Sequence, residues 1–547
     1  GVGSSAIKPW ALVTGAVGYG LARNVRQLYA NLCHIYEPGD RIYCFGFSRG
    51  AFTIRILTGL IGQGIVHGAE PDELHAIVKA AYRELRSKFG SRKEAFVRRM
   101  IERFRPTFDE TKLKKRYPHV SILKDPKIEF VGLWDTVAAY GLPFEGLTRV
   151  WDTLIWPLSF PDRDPCSAIV KGCHALSIDD ERRTFHPVMW NEDKFPQNAS
   201  SLTTDDEKIT QVWFAGAHSD LGGGYPDDSL AYVSLDWMMR EAEKMGLKFK
   251  ARERDQAKAG ANPRAAIHDS RTGPSAFYRY GPRSISRLCD DRREYGFKRW
   301  LWGRQGGGSV IIQRPKIHTS VLEHIASSKC TYAPAALPSR FAVVGDQGMI
   351  RPVHYARDAA MSAVWDRIWL RELAVFSSLI LLTLVAIWPL LPESWRPFDA
   401  DQCPGSLACR LSPPLSWIDA RLDILGTGIA GYYAAHPLHL TIITAVILLL
   451  YLASGKLRQS VARMMRKVWL ARLGKAPRPK LKALRPIQFL RKNRALRKTV
   501  LMANGLVSSA IIALVAFAIV QAAWSYIGRS ATACTFDEST PVTSDCT

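Results

Sequence analysis

Short apolar runs of strand length, each stopping at a chemically distinctive turn, organise the first half of the chain. Residues 42–45 form one such run, launched by the Pro38-Gly39-Asp40 turn. An amphipathic helix follows from near Arg49, with Phe52, Ile56, Leu57, Leu60 and Ile61 on one face and Gly62 and Gly64 at its end. Residues 127–134 predict a second buried strand ending at Asp135. Residues 209–217 predict a third, ending at His218 and followed by Gly222, Gly223 and Gly224. Between these lie a helix over 21–29 (Leu21, Val25, Leu28 and Leu32 on one face) and a charged helical stretch over 70–118 that reads as a surface insertion. A helix over 173–183 and an amphipathic helix over 230–245 complete the set. Strands alternating with helices predict an α/β fold with a mostly parallel sheet and helical insertions.

The last third follows a different pattern. Residues 373–391, 437–454 and 500–527 are apolar and contain no Asp, Glu, Lys or Arg. Each approaches the roughly 20 residues that cross a bilayer. The expected organisation is a catalytic-type domain over 1–330, a linker over 331–372 and a helical membrane module over 373–547.

Charge sharpens this division. The 547-residue chain carries a formal net charge of +24, and residues 455–500 hold sixteen Lys or Arg and no Asp or Glu. A basic block between two apolar runs marks the cytoplasmic side of a membrane protein and can pair with anionic lipid headgroups. Nucleic-acid binding is the other reading of a basic stretch; the position of this one favours lipid. The ten cysteines divide in the same way. Cys33, Cys44, Cys166, Cys173, Cys289 and Cys330 have no metal-ligand spacing and read as reduced thiols. Cys403 with Cys409, and Cys534 with Cys546, would lie on the opposite, oxidising side, where each pair could close a small disulfide loop. The expected localisation is therefore an inner membrane, crossed several times, with the N-terminal domain cytoplasmic and the C-terminal tail periplasmic. Gly1 to Trp10 lack the charged lead and apolar core of a signal peptide.

The candidate chemistry sits at the strand ends. Gly46-Phe47-Ser48-Arg49-Gly50 spells G-x-S-x-G, the turn that lifts a serine Oγ from the end of a strand. Gly46 and Gly50 would let strand and helix approach closely around Ser48. Asp135 and His218 follow later strands, giving the chain order nucleophile, acid, base. Serine is a weak nucleophile unless a histidine takes its proton, and a carboxylate must fix that histidine's tautomer. Asp220 is the alternative acid, and His174 and His186 compete with His218. No metal or other cofactor is called for. Residues 142–165, rich in Pro, Trp and Phe, suit either an apolar lid or ordinary packing under a long loop.

Four ordered blocks resemble the DUF2235 family: 43–52 around Ser48, 132–137 around Asp135, 174–183, and 213–225 around His218. That family contains the catalytic domain of Tle1-type phospholipase effectors of bacterial type VI secretion. The resemblance covers about residues 1–330 and implies an α/β-hydrolase fold and a Ser-Asp-His lipid esterase. Members usually open with a strand leading into an Asp-Gly-Thr-like turn, upstream of a Gly-Val-Gly segment. This chain starts at Gly1-Val2-Gly3, so that strand is expected to be absent. The Arg49 amide then remains as the oxyanion donor. Loss of one donor costs roughly 10²–10³ in rate. The expected function is a membrane-anchored serine hydrolase acting on a lipid or other carboxylic ester. The alternative is a catalytically silent, membrane-tethered interaction module on the same scaffold.

Overall fold

A computed structural model describes residues 20–87, 110–137, 163–193, 202–271, 281–291, 310–327, 332–334, 337–345, 347–355, 358–388, 432–433, 437–493 and 495–496. Seven strands form the main sheet, and their spatial order is their chain order: β1 (Ile42–Phe47), β2 (Ile128–Trp134), β3 (Ile169–Ser177), β4 (Ile209–Phe214), β5 (Lys316–His318), β6 (Arg340–Val344) and β7 (Ile350–His354). All neighbours run parallel except β6 and β7, which form an antiparallel hairpin. The fold is thus mixed α/β with a mostly parallel sheet.

Three sequence expectations change here. The stretch 173–183, expected as helix, opens with the last five residues of β3 and continues as a loop into a short 3-10 turn. All nine β3 residues except Val170 are buried. A central parallel strand is covered on both faces, so its sequence is a continuous apolar run that periodicity cannot separate from a buried helix. The stretch 331–372, expected as linker, contains β6 and β7, so the sheet continues past residue 330. Phe341, Ala342, Val343 and Val344 are buried there. The stretch 70–118, expected as a solvated insertion, supplies core instead. Its helix buries Leu74, Ile77, Val78, Ala81, Tyr82 and Leu85 beneath a charged outer face.

Helices cover both faces of the sheet. On one, α1 (Leu21–Ile35), α2 (Arg49–Ile61) and α3 (Pro71–Ser87) pack over Ile42, Cys44, Val131, Leu133 and Ile169. The α1 stripe that faces inward is Leu21, Val25, Tyr29 and Cys33, whereas Leu28 is 42% exposed. Tyr29 fixes this rotation by donating its hydroxyl hydrogen to the Gly64 carbonyl at 2.5 Å. On the other face, Leu221 of the short α4 (His218–Gly222) and Trp237, Met238 and Ala242 of α5 (Ser229–Lys244) pack over Phe130, Cys173, Ala175, Val212 and Phe214. Cys33, Cys44, Cys166, Cys173 and Cys289 are free thiols.

The chain divides into two compact units, Gly1–Val364 with Val461–Ala483, and Trp365–Ser460 with Leu484–Thr547. The second unit holds most of α6 (Ala359–Ile387), the apolar part of α7 (Pro437–Arg472), and α8 (Arg485–Lys492). Within it, Arg371 Nε lies 3.4 Å from Ser454 Oγ, and Trp388 Nε1 donates to the Tyr432 hydroxyl at 3.0 Å. Among the described residues one helix, over Leu440–Arg472, is long and apolar enough to cross a membrane, and 6% of its most apolar window is buried. The expected span at 373–391 falls largely on α6. The expected span at 500–527, Cys330, both candidate disulfide pairs and residues 138–162 of the aromatic loop lie outside the described residues.

Candidate active site

The carboxyl ends of β1, β2 and β4 converge, and each delivers one candidate side chain. Where β1 stops, Ser48 adopts φ 59° and ψ −123°, and α2 begins at the next residue. A positive φ is strained for a residue with a side chain, so this elbow is held by its surroundings. The Ser48 N–H donates to the Trp134 carbonyl at 2.9 Å, tying the elbow to the end of β2. A Cβ on Gly46 would come within 2.8 Å of the Ala51 backbone, so glycine is required there. Gly50 differs from expectation: a Cβ there meets nothing within 4 Å among the described residues.

Asp135 follows β2 with φ 41°, also in the left-handed region. Its own N–H donates to the Ala175 carbonyl at 2.8 Å, and the Ser177 N–H donates to its Oδ1 at 3.1 Å. The next element, β3, therefore clamps it from both ends. His218 opens α4 just after Gly216, whose φ of 116° suits glycine alone. A Cβ on Gly216 would lie 2.6 Å from that of Asp220.

These placements bring the three residues into one line. Ser48 Oγ lies 2.7 Å from His218 Nε2, and His218 Nδ1 lies 2.6 Å from Asp135 Oδ2. With Asp135 ionised, the arrangement fixes the tautomer: Nδ1–H donates to the carboxylate and Nε2 accepts the serine proton. The imidazole packs between two rings, Phe47 at 4.6 Å and Phe185 at 5.3 Å between centroids. A Cβ on Gly222 would strike the Phe47 ring at 2.3 Å, so one glycine of the 222–224 run makes room for the ring against the histidine. Gly223 and Gly224 instead serve backbone shape, with φ of 86° and 119°.

Arg283 completes the site, and sequence reasoning missed it. Its guanidinium donates to Asp135 Oδ1 at 2.6 Å and Oδ2 at 2.7 Å, and to the carbonyls of Ser177 and Phe185 at 2.6 Å each. Both Asp135 and Arg283 are fully buried. Burial alone would raise the Asp135 pKa; the charge of Arg283, with His218 beside it, holds the carboxyl well below the usual range. Arg283 lies 148 residues from Asp135 in a polar, arginine-rich stretch, where no local pattern sets it apart. Asp180 and Arg182 were also unassigned. Asp180 accepts the His218 N–H at 3.3 Å and pairs with Arg182, whose guanidinium carbon lies 3.7 Å over the Phe185 ring. Their i, i+2 spacing was the available signal.

The competing residues go elsewhere. Asp220 accepts the Ala217 N–H at 2.8 Å and pairs with His268 Nδ1 at 2.6 Å, while Tyr225 stacks on His268 at 3.9 Å. The structure does not bring Asp220 to His218 Nδ1, the place Asp135 occupies. His174 is fully buried: its Nε2 accepts the Thr136 N–H at 3.1 Å and its Nδ1 faces Gln211 Oε1 at 3.2 Å. Burial, with the Arg55 charge, pushes its pKa down to about 3, so it stays neutral. His186 Nε2 bonds the Gly281 carbonyl at 3.0 Å. Arg49 opens α2 directly after Ser48.

Comparison with known proteins agrees with the sequence blocks. Residues 1–241 match the family described as "T6SS, Phospholipase effector Tle1-like, catalytic domain". This is the family the blocks around Ser48, Asp135 and His218 resemble. Arg283 lies beyond the matched residues. An uncharacterized protein of Saccharomyces cerevisiae is 25% identical over 192 residues, which are 35% of this chain and 25% of that protein. The chain thus spans about a quarter of the length of this curated relative. A crystal structure of an uncharacterized protein from Pseudomonas aeruginosa aligns with 20% identity and a TM-score of 0.19, covering 46% of this chain and 30% of that one.

Proposed function

We propose that the chain is a membrane-anchored serine hydrolase that cleaves a lipid or other carboxylic ester through an acyl-enzyme. The observation that carries this reading is the unbroken line from Ser48 Oγ through His218 to Asp135, with contacts of 2.7 and 2.6 Å. His218 Nε2 removes the Ser48 proton as Oγ attacks the ester carbonyl. The resulting imidazolium is stabilised by Asp135, which Arg283 keeps ionised. The tetrahedral oxyanion is received by the Arg49 amide at the head of α2. Collapse expels the alcohol, which takes the proton from His218, and leaves Ser48 acylated. Water, deprotonated by the same Nε2, then hydrolyses the acyl-enzyme and restores the site. These residues supply the whole proton path, and no metal or cofactor enters it.

Two contacts support a membrane hairpin made by α6 and α7. The Arg371–Ser454 contact joins a residue two positions before one apolar run to the last residue of another. At the far end Trp388 bonds Tyr432, a pairing of the residue types that favour a membrane interface. Arg371 and Trp388 are seventeen positions apart, about 25 Å along a helix, close to the thickness of a bilayer's hydrocarbon core. The basic stretch 455–500 would face anionic headgroups on the cytoplasmic side.

The test is a panel of phospholipid and simple carboxylic esters, wild type against Ser48→Ala, with both proteins in detergent or proteoliposomes. Turnover by the wild type alone is expected. Hydrolysis by neither would favour the silent interaction module, and equal hydrolysis by both would remove Ser48 as the nucleophile.

A further inference from the structure

The helix α8 has a face that packing covers only in part, with Ile487 and Leu490 half-buried. None of its eight residues is buried, and Phe489 is 64% exposed. At 100° per residue, Pro486, Ile487, Phe489 and Leu490 share one arc of about 160°, and Arg485, Gln488, Arg491 and Lys492 share the opposite one. A short helix with an aromatic, aliphatic face and a cationic back has the composition of an interfacial anchor.

Its attachment gives the depth. Asp366, fully buried on α6, accepts the Leu484 N–H at 3.3 Å and bonds Arg491 Nε at 3.1 Å. Asp366 lies seven positions before Leu373, where the apolar run of α6 begins, so α8 is pinned about 10 Å below that boundary. A bilayer's polar zone occupies roughly the outer 5–8 Å of each leaflet. The helix is therefore held just outside the headgroup zone, within reach of its long side chains, beside a hairpin foot in a stretch of sixteen basic and no acidic residues.

We infer that Arg485–Lys492 is an in-plane lipid-binding helix, whose occupant is the anionic surface of the bilayer crossed by α6 and α7. Phe489 and Leu490 point into the interface, and Arg485 and Lys492 pair with lipid phosphates. This rests on the hairpin reading and adds a second, peripheral attachment that braces the foot of the hairpin. A lipid surface is favoured over a protein partner because α8 is tied to Asp366, seven positions from an apolar run, and its basic flanks match anionic headgroups.

The experiment places photoreactive benzoylphenylalanine at 489, and separately at 446 within the apolar part of α7, in the full chain. Each protein is reconstituted in phosphatidylcholine vesicles with and without phosphatidylglycerol, irradiated, and its adducts identified by mass spectrometry. Lipid adducts are expected at both positions, with those at 489 richer in phosphatidylglycerol than the bulk vesicle. Arg485→Gln with Lys492→Gln should lower that enrichment by about fivefold per charge. Lipid adducts at 446, with protein adducts or none at 489, would overturn the inference and leave the hairpin standing. Absence of lipid adducts at 446 as well would overturn both.

Discussion

The Arg283 guanidinium takes both carboxylate oxygens of Asp135, at 2.6 and 2.7 Å, while the same carboxylate holds His218 at 2.6 Å. One buried anion thus serves two partners. Arg283 keeps Asp135 ionised, yet it also absorbs part of the charge that would otherwise stabilise a His218 imidazolium. Arg283→Met is expected to destabilise the fold by about 3–5 kcal/mol, the usual cost of orphaning one member of a buried pair. In the protein that remains folded, the acidic limb of the kcat/KM profile should move to higher pH, because the buried Asp135–His218 pair takes up a proton more readily without the Arg283 charge beside it. Arg283→Lys retains the charge without the two-pronged geometry and should fall between. Thermal melts and pH–rate profiles check this; unchanged profiles in both variants would reduce Arg283 to packing.

The two aspartates near His218 are expected to behave differently. Asp135→Asn should lower kcat by about 10⁴, since the amide disturbs the imidazole tautomer. Asp220→Asn should cost no more than a few-fold, because Asp220 is engaged by Ala217 and His268. Steady-state kinetics on one ester substrate separates them. A reversed ranking would move the acid to Asp220.

Two glycines of the site make opposite predictions. Gly222→Ala drives a methyl into the Phe47 ring that backs His218, and overpacking of this kind costs about 1–3 kcal/mol. Its kcat should fall more than its KM rises. Gly50→Ala meets open space on a helix and should be neutral or stabilising by up to about 1 kcal/mol. Denaturant melts and kinetics on both variants test this contrast.

Asp179 sets a pH dependence of stability. It is half-buried, accepts the Gly216 N–H at 2.8 Å and pairs with the Tyr332 hydroxyl at 2.8 Å. Burial pushes its carboxyl up to about 7. Between the unfolded value near 4 and about 7, the folded protein keeps a proton the unfolded chain has lost, so this contribution falls as pH rises. Asp179→Asn removes the titration. Its stability relative to wild type should climb from pH 4 to 7 and level off above. A difference that is flat across this window would contradict the assignment.

The parts of the site that sequence made legible are those carried by local pattern. Ser48, Asp135 and His218 each follow an apolar run that ends abruptly, and the α2 face of Phe52, Ile56, Leu57, Leu60 and Ile61 is buried as its spacing predicts. Features set by contacts distant in sequence were not legible. The inward stripe of α1 is turned by Tyr29 bonding Gly64, which no periodicity records. The strand around His174 reads as helix because burial on both faces erases alternation. Arg283 stands in a stretch whose charge looks like solvated surface, and only the fold carries it to Asp135. The hairpin β6–β7 was hidden by a polar context that suggested a linker.

The central claim is that Ser48 is the nucleophile, made reactive by His218. The most direct measurement is covalent: treat wild type, Ser48→Ala and His218→Gln with a fluorophosphonate and locate the adduct by peptide mass spectrometry. The account expects stoichiometric modification at Ser48 in the wild type, none in Ser48→Ala, and labelling slowed by at least about 10³ in His218→Gln. An adduct on another residue, or equal labelling of the wild type and His218→Gln, would contradict it.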